Sequence, residues 1–181
     1  LDKSNIAPEV YTNLIEAVHD NMELMHRYVS VRKKLLGLDE LHMYDLYTPL
    51  VQDVSMDMSF DEAKALIIEG LKPMGGEYAR ILREGFEGRW IDIYENENKR
   101  SGAYSWGAYG THPFILLNYN NTLNSVFTLA HEIGHAIHSY LSDHTQPYIY
   151  AGYKIFVAEV ASTCNEALLM DYMLKNTRDK K

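Results

Sequence analysis

Residues 127–138 constrain this chain more than any other stretch. Phe127, Thr128, Leu129 and Ala130 lead into His131 and Glu132, and Ile133, Gly134, His135, Ala136, Ile137 and His138 follow, an apolar, helix-permissive run with polar residues at fixed offsets. In a helix His131 and His135 lie one turn apart on one face, so both imidazoles can be directed at a common point. A tetrahedral cation about 2.0–2.1 Å from each nitrogen fits between them. Glu132 projects from almost the same side. It sits too near His131 to share the ion comfortably, but it can reach a water bound there.

Two imidazole ligands, one general base and an open coordination position are the working parts of a zinc metallopeptidase. An amphipathic helix with two partly buried histidines and a surface glutamate is the plain alternative. Three residue types at fixed offsets, with a partner helix following, weigh against it.

Composition narrows the rest. The 181 residues, 46% hydrophobic and 23% charged, suffice for one domain with a substantial core. The chain starts at Leu1 without a charged-then-apolar leader, and no apolar run approaches the roughly 20 residues needed to span a bilayer. Neither a signal peptide nor a membrane anchor is therefore expected within it. A net charge of −8 with interspersed signs argues against a nucleic-acid partner. The lone cysteine, Cys164, excludes an internal disulfide and fits a reducing, cytoplasmic setting. Without a basic neighbour, Cys164 is expected to be a small helix-packing residue.

The pattern predicts a mainly α-helical chain with a small antiparallel or mixed β-sheet. Pro8 and Glu9 open a helix whose apolar positions (Val10, Leu14, Val18, Leu24, Val31, Leu35) run to Leu36, with Gly37 as its stop. His19 and His26 are expected to be solvated or packing residues. Residues 45–49 look like an ordered loop with aromatic anchors. Ser59 with Glu62 forms a capping box before a helix that Pro73 interrupts; a second helix ends at Gly88. From Trp90 the period becomes strand-like. Residues 91–94, 101–109 and 113–119 predict three short strands joined by antiparallel turns. The glycines of the second strand suggest a close approach to its backbone, either a peptide adding along the edge or a twist or bulge. N-cap candidates at residues 120–124 open the motif helix, which is expected to reach Leu141 or Ser142. A loop and Tyr148, Tyr150 and Tyr153 precede a second long helix over residues 154–174.

A catalytic zinc needs a third protein ligand. His138 lies about 10.5 Å of helix rise from His131, so packing or an outer role suits it better. The metzincin spacing is absent, because Ile137 and Leu141 occupy its glycine and histidine positions. His144 is an outside candidate. Glu159 and Glu166, on the next helix and two turns apart on one face, are the strongest. One can reach the ion and the other can then hydrogen-bond a ligand histidine, but the spacing does not say which.

His131-Glu132-Ile133-Gly134-His135-Ala136-Ile137-His138, with Phe156-Val157-Ala158-Glu159-Val160-Ala161-Ser162-Thr163 following, resembles the oligoendopeptidase F branch of the thimet oligopeptidase family. The segments Asp92-Ile93-Tyr94, Lys99-Arg100-Ser101-Gly102-Ala103-Tyr104 and Pro113-Phe114-Ile115 also resemble that family's strand beside the cleft. The resemblance implies a zincin-like catalytic core holding one Zn2+ through His131, His135 and Glu159. Glu166 is then left beside the ligands, and Gly102, Ala103 and Tyr104 on the substrate side. It implies that residues 1–181 are one segment of a catalytic domain, with a helical part (1–88), a small sheet (89–120) and zinc-binding helices (121–175), the flanking parts of the full protein lying outside this chain. The family's downstream histidine and tyrosines have no counterpart here, and Tyr148, Tyr150 and Tyr153 are expected only to line or pack under the loop between the ligand helices.

The function so implied is hydrolysis of peptide bonds in short peptides, with Glu132 as general base on zinc-bound water. A non-catalytic zinc-binding or interaction fragment is the alternative. Oligomeric state is not encoded in any motif.

Overall fold

The computed structural model describes residues 5–50 and 57–176. Its chain contacts divide at residues 54 and 55 into two compact units. In the first, helix α1 (Pro8–Asp20) and helix α2 (Met22–Leu36) replace the single helix that periodicity predicts. The break is at Asn21, whose Nδ2 donates to the Ala17 carbonyl at 2.7 Å. An asparagine side chain bonding its own backbone competes with the helix ladder. Gly37 ends α2 in the left-handed region at φ +67, and the amides of Gly37 and Leu38 reach back to the carbonyls of Lys34 and Lys33. Buried Arg32 donates to the carbonyls of Asp45 and Thr48, folding the 3-10 turn Met43–Tyr47 onto α2. That guanidinium orders the loop, where aromatic anchors were expected; Tyr47 is 88% exposed. His19 and His26 are exposed.

The second unit holds the sheet and the motif helix. Helix α3 (Phe60–Gly70) starts at the predicted capping box: the Glu62 amide donates to Ser59 Oγ, and the Ser59 amide and hydroxyl donate to Glu62 Oε2 at 2.8 and 2.6 Å. Pro73 falls in a 3-10 turn, Lys72–Met74, and Gly75 at φ +91 redirects the chain into α4 (Gly76–Glu87). Strands β1 (Ile91–Asp92), β2 (Tyr104–Trp106) and β3 (Phe114–Leu116) form a sheet in the order β1-β3-β2. β3 is central, parallel to β1 and antiparallel to β2. The sheet is therefore mixed. Successive antiparallel turns do not describe it, because the chain leaves β1 and crosses to the far edge before returning to the centre.

Helix α5 (Leu123–Thr145) is capped by Thr122, whose hydroxyl accepts from the Ser125 amide at 3.2 Å. It extends past the predicted stop, and Thr145 Oγ1 and His144 Nδ1 bond the carbonyls of Leu141 and Tyr140. A short helix α6 (Tyr148–Ala151) leads to α7 (Ile155–Asn176). α5 packs on β2, β3 and α7, while α3 and α4 also contact it. Ile67, Ile81, Leu117, Leu129, Ile133 and Leu169 are at most 2% exposed at the centre of this core. Among the described residues no helix is long and apolar enough to cross a membrane.

Candidate active site

The fourfold spacing of His131 and His135 acts as helix geometry requires. Their rings stand edge to face with centroids 4.8 Å apart, and the two Nε2 atoms approach to 3.1 Å. Glu159, from the first turns of α7, places Oε2 3.3 Å from His131 Nε2 and 3.5 Å from His135 Nε2. Glu166, two turns further along α7, lies with Oε1 2.6 Å from His131 Nδ1. A carboxylate there accepts the Nδ1 proton, which leaves the Nε2 lone pair facing His135 and Glu159. The structure thus separates the two glutamates that spacing left equivalent: Glu159 faces both Nε2 atoms, and Glu166 faces the back of one ring.

Burial tunes the charges. Glu132 is 7% exposed, and its Oε2 is buried without a hydrogen-bond partner among the described residues. Desolvation raises its pKa, with His131 opposing and Glu159 adding to the shift. Desolvation lowers that of His135, against the attraction of Glu159. Neutral imidazole is the form that binds metals.

Gly134, Asn165 and Tyr78, to which the sequence reading assigns no role in helix docking, bring α7 to this place. Gly134 sits against the α7 backbone, where a Cβ would lie 2.6 Å from Ser162 Cα. Fully buried Asn165 donates from Nδ2 to the Ala130 carbonyl at 3.0 Å, and its Oδ1 accepts the Tyr78 hydroxyl of α4 at 2.8 Å. The first bond fixes the register of α7 on α5, and the second ties α7 to α4. Burial pushes the Tyr78 hydroxyl up to about 12, although the bond to Asn165 opposes it. A glycine inside a helix, costing about 1 kcal/mol relative to alanine, was the one available signal of close helix packing. Nothing in the sequence singled out Asn165.

The remaining candidates fall around this centre. Gly102 turns the chain at φ +93, and Tyr104, 53% exposed, opens β2, the edge strand beyond β3. The close backbone approach in this segment is at Gly107, where a Cβ would meet Ser139 of α5 at 2.6 Å. His138 stacks on Tyr153 at 3.8 Å, and Tyr153 shares a 2.8 Å hydrogen bond with Ser139. Tyr148 and Tyr150 are largely exposed, Tyr148 meeting Tyr109 edge to face with ring centroids 5.3 Å apart, so of the three tyrosines Tyr153 is the one that is mostly covered. His144 stacks on Tyr140 within α5 itself, about 13 Å of helix rise past His135. Cys164 is exposed and does not pack; Ser162 and Asn165 occupy the buried side of that turn. A cleft lined by Trp106, Gly107, His135, Tyr153, Ile155 and Glu159 opens beside the two helices.

Comparison with known proteins places this helical core and its mixed three-stranded sheet among known relatives. The whole chain, residues 1–181, matches the model of Peptidase family M3, and the chain belongs to that family. Within it, the chain is 56% identical over 181 residues to oligopeptidase PepF of Bacillus subtilis, covering 100% of this chain and 27% of that protein. It is 48% identical over 183 residues to group B oligopeptidase PepB of Streptococcus agalactiae, covering 30% of that one. The crystal structure of oligoendopeptidase F from Enterococcus faecium aligns at 32% identity with a TM-score of 0.57, over 98% of this chain and 23% of the other. A candidate peptidase of Chlamydophila abortus aligns at 49% identity with a TM-score of 0.89, covering 98% and 30%. The chain therefore spans less than a third of these relatives.

Proposed function

We propose that this chain carries the metal ligands and general base of a zinc metallopeptidase acting on short peptides. One observation carries the reading. The two Nε2 atoms and Glu159 Oε2 form a triangle with sides of 3.1, 3.3 and 3.5 Å. Three corners of a tetrahedron with bonds of about 2.0–2.1 Å are separated by roughly 3.3 Å. Two neutral imidazoles and one carboxylate are also a donor set that catalytic zinc takes, and the Glu166 carboxylate behind His131 is the outer partner such a ligand requires. The residues present fit the ion.

A zinc ion held by His131, His135 and Glu159 would supply Lewis acidity, polarising the scissile carbonyl and acidifying the attacking water. The protein does the rest. Glu132 would take the proton of that water and pass it to the leaving amine, and its buried Oε2, without a hydrogen-bond partner among the described residues, is free to accept it. Glu166 keeps His131 in the tautomer whose Nε2 is free. The edge strand β2, which Tyr104 opens, and the residues Gly102 and Ala103 leading into it offer backbone groups to an extended peptide. Peptide substrates are supported by the relatives' names, oligopeptidase and oligoendopeptidase. We also place the protein in the cytoplasm, from its single cysteine.

The test is Glu132→Gln in the full-length protein, with metal content and cleavage of a quenched peptide of roughly eight residues measured together. Zinc content should persist while chelator-sensitive cleavage falls on the order of 10²–10⁴-fold. Undiminished turnover would remove Glu132 from the role of base. Zinc binding with no cleavage even before mutation would instead favour a non-catalytic metal-binding protein.

A further inference from the structure

A third donor on a separate helix is useful only if it arrives at a fixed distance and orientation. At Gly134 the backbones of α5 and α7 touch: an added Cβ would lie 2.6 Å from Ser162 Cα, 2.8 Å from the Ala161 carbonyl oxygen and 2.9 Å from Ser162 N. All three are backbone atoms, so no side-chain rotation relieves the overlap; α7 itself would have to move. Gly134 lies between Glu132 and His135 in the motif, so any such movement is felt at the cluster.

Ser162 is fully buried at this contact. Its Oγ lies 3.0 Å from the Glu159 carbonyl oxygen and 3.0 Å from Glu159 Oε2. A helix serine usually bonds a carbonyl one turn back. Here that carbonyl already accepts the Thr163 hydroxyl at 2.5 Å as well as the helix amide. The Ser162 hydroxyl is therefore available to the carboxylate, and the oxygen it meets is the one that faces both imidazoles. Glu159 is otherwise a long, largely exposed side chain, and this hydroxyl restricts its rotamers.

We propose that Gly134 and Ser162 are positioning residues for the metal centre. The glycine sets the separation of α5 and α7, and the serine hydroxyl orients the carboxylate of Glu159. This inference rests on the metal-centre reading of His131, His135 and Glu159.

The experiment compares the full-length protein with its Ser162→Ala, Gly134→Ala and Glu159→Ala variants. Zinc affinity is measured by competition with a chelator, the ligand field by the visible spectrum of the Co2+-loaded protein, and folding by the melting temperature of the metal-free form. Ser162→Ala should weaken zinc about 10-fold and alter the cobalt spectrum with the metal-free melting temperature unchanged. Gly134→Ala should weaken zinc further, toward 100-fold, and lower the melting temperature as well. Wild-type zinc affinity and cobalt spectrum in Ser162→Ala would overturn the inference, and this variant decides the matter alone if Gly134→Ala does not fold. Wild-type zinc affinity in Glu159→Ala would instead bring down the metal-centre reading, so the two failures are told apart.

Discussion

The helix pairs α1–α2 and α5–α7 look alike as sequence and differ as structure. Both carry apolar residues at helical spacing, and both form helices. In the first pair Leu14, Leu24 and Leu35 are 62–65% exposed, and none of the described residues of α1 is buried. In the second, Leu129, Ile133 and Leu169 are fully buried. Periodicity specifies a helix and the face it would bury; it does not supply the surface that buries it. What distinguishes α5–α7 is fine detail: a glycine that lets backbones touch, and an asparagine that ties one helix to the carbonyl of the other.

Truncations should expose this difference, the most severe first. Leu129→Ala in α5 removes a fully buried side chain and should cost about 2–5 kcal/mol in urea unfolding. A loss below about 1 kcal/mol would mean that the α5–α7 core is looser than its burial indicates. Asn165→Ala leaves the Tyr78 hydroxyl without its acceptor and should cost about 1–3 kcal/mol. Because it frees the register of α7, it should also weaken zinc binding, which a core truncation of equal cost elsewhere should not do.

Ser59→Ala should cost about 1 kcal/mol by removing the cap of α3. The same capping box carries a pH signature. The Ser59 hydroxyl, then the Ser59 amide, lower the Glu62 pKa below its ordinary value of 4.5. A depressed folded-state pKa gives stability that is fully present above the unfolded pKa and is lost as pH falls through the folded one. The stability gap between wild type and Glu62→Gln should thus be constant at neutral pH and close on acidification below 4.5, as followed by urea unfolding at stepped pH. A gap that widens in acid would refute the assignment. Leu14→Ala, in α1, should change stability by less than about 0.5 kcal/mol. A larger loss would show that its face is covered in the working protein, and the contrast between the two helix pairs would narrow.

Elements whose signals are local were legible in the sequence. The capping box at Ser59, the proline break at Pro73, the glycine stop at Gly37 and the helix bearing His131 and His135 each depend on contacts a few residues apart. The break at Asn21 was missed because an asparagine side chain can continue a helix or bond its own backbone, and the sequence is neutral between them. The parallel pairing of β1 with β3 was missed for a different reason. Strand order depends on which edges meet across the core, and residues 91–119 carry no local mark of it.

By itself the sequence determined the spacing of the two imidazoles and Glu132, because one turn of helix is a local geometry. It also singled out two carboxylates seven residues apart as the strongest candidates for a third donor, with His144 outside them. Spacing left the two carboxylates equivalent, and the family resemblance pointed to Glu159. The tertiary structure alone supplies the physical reason, because which carboxylate faces both Nε2 atoms depends on how far α7 is slid along α5. The slide is set by Gly134 against Ser162 and by Asn165 on the Ala130 carbonyl. Those contacts join residues about 30 positions apart in the chain, a separation at which spacing carries no information and packing carries all of it.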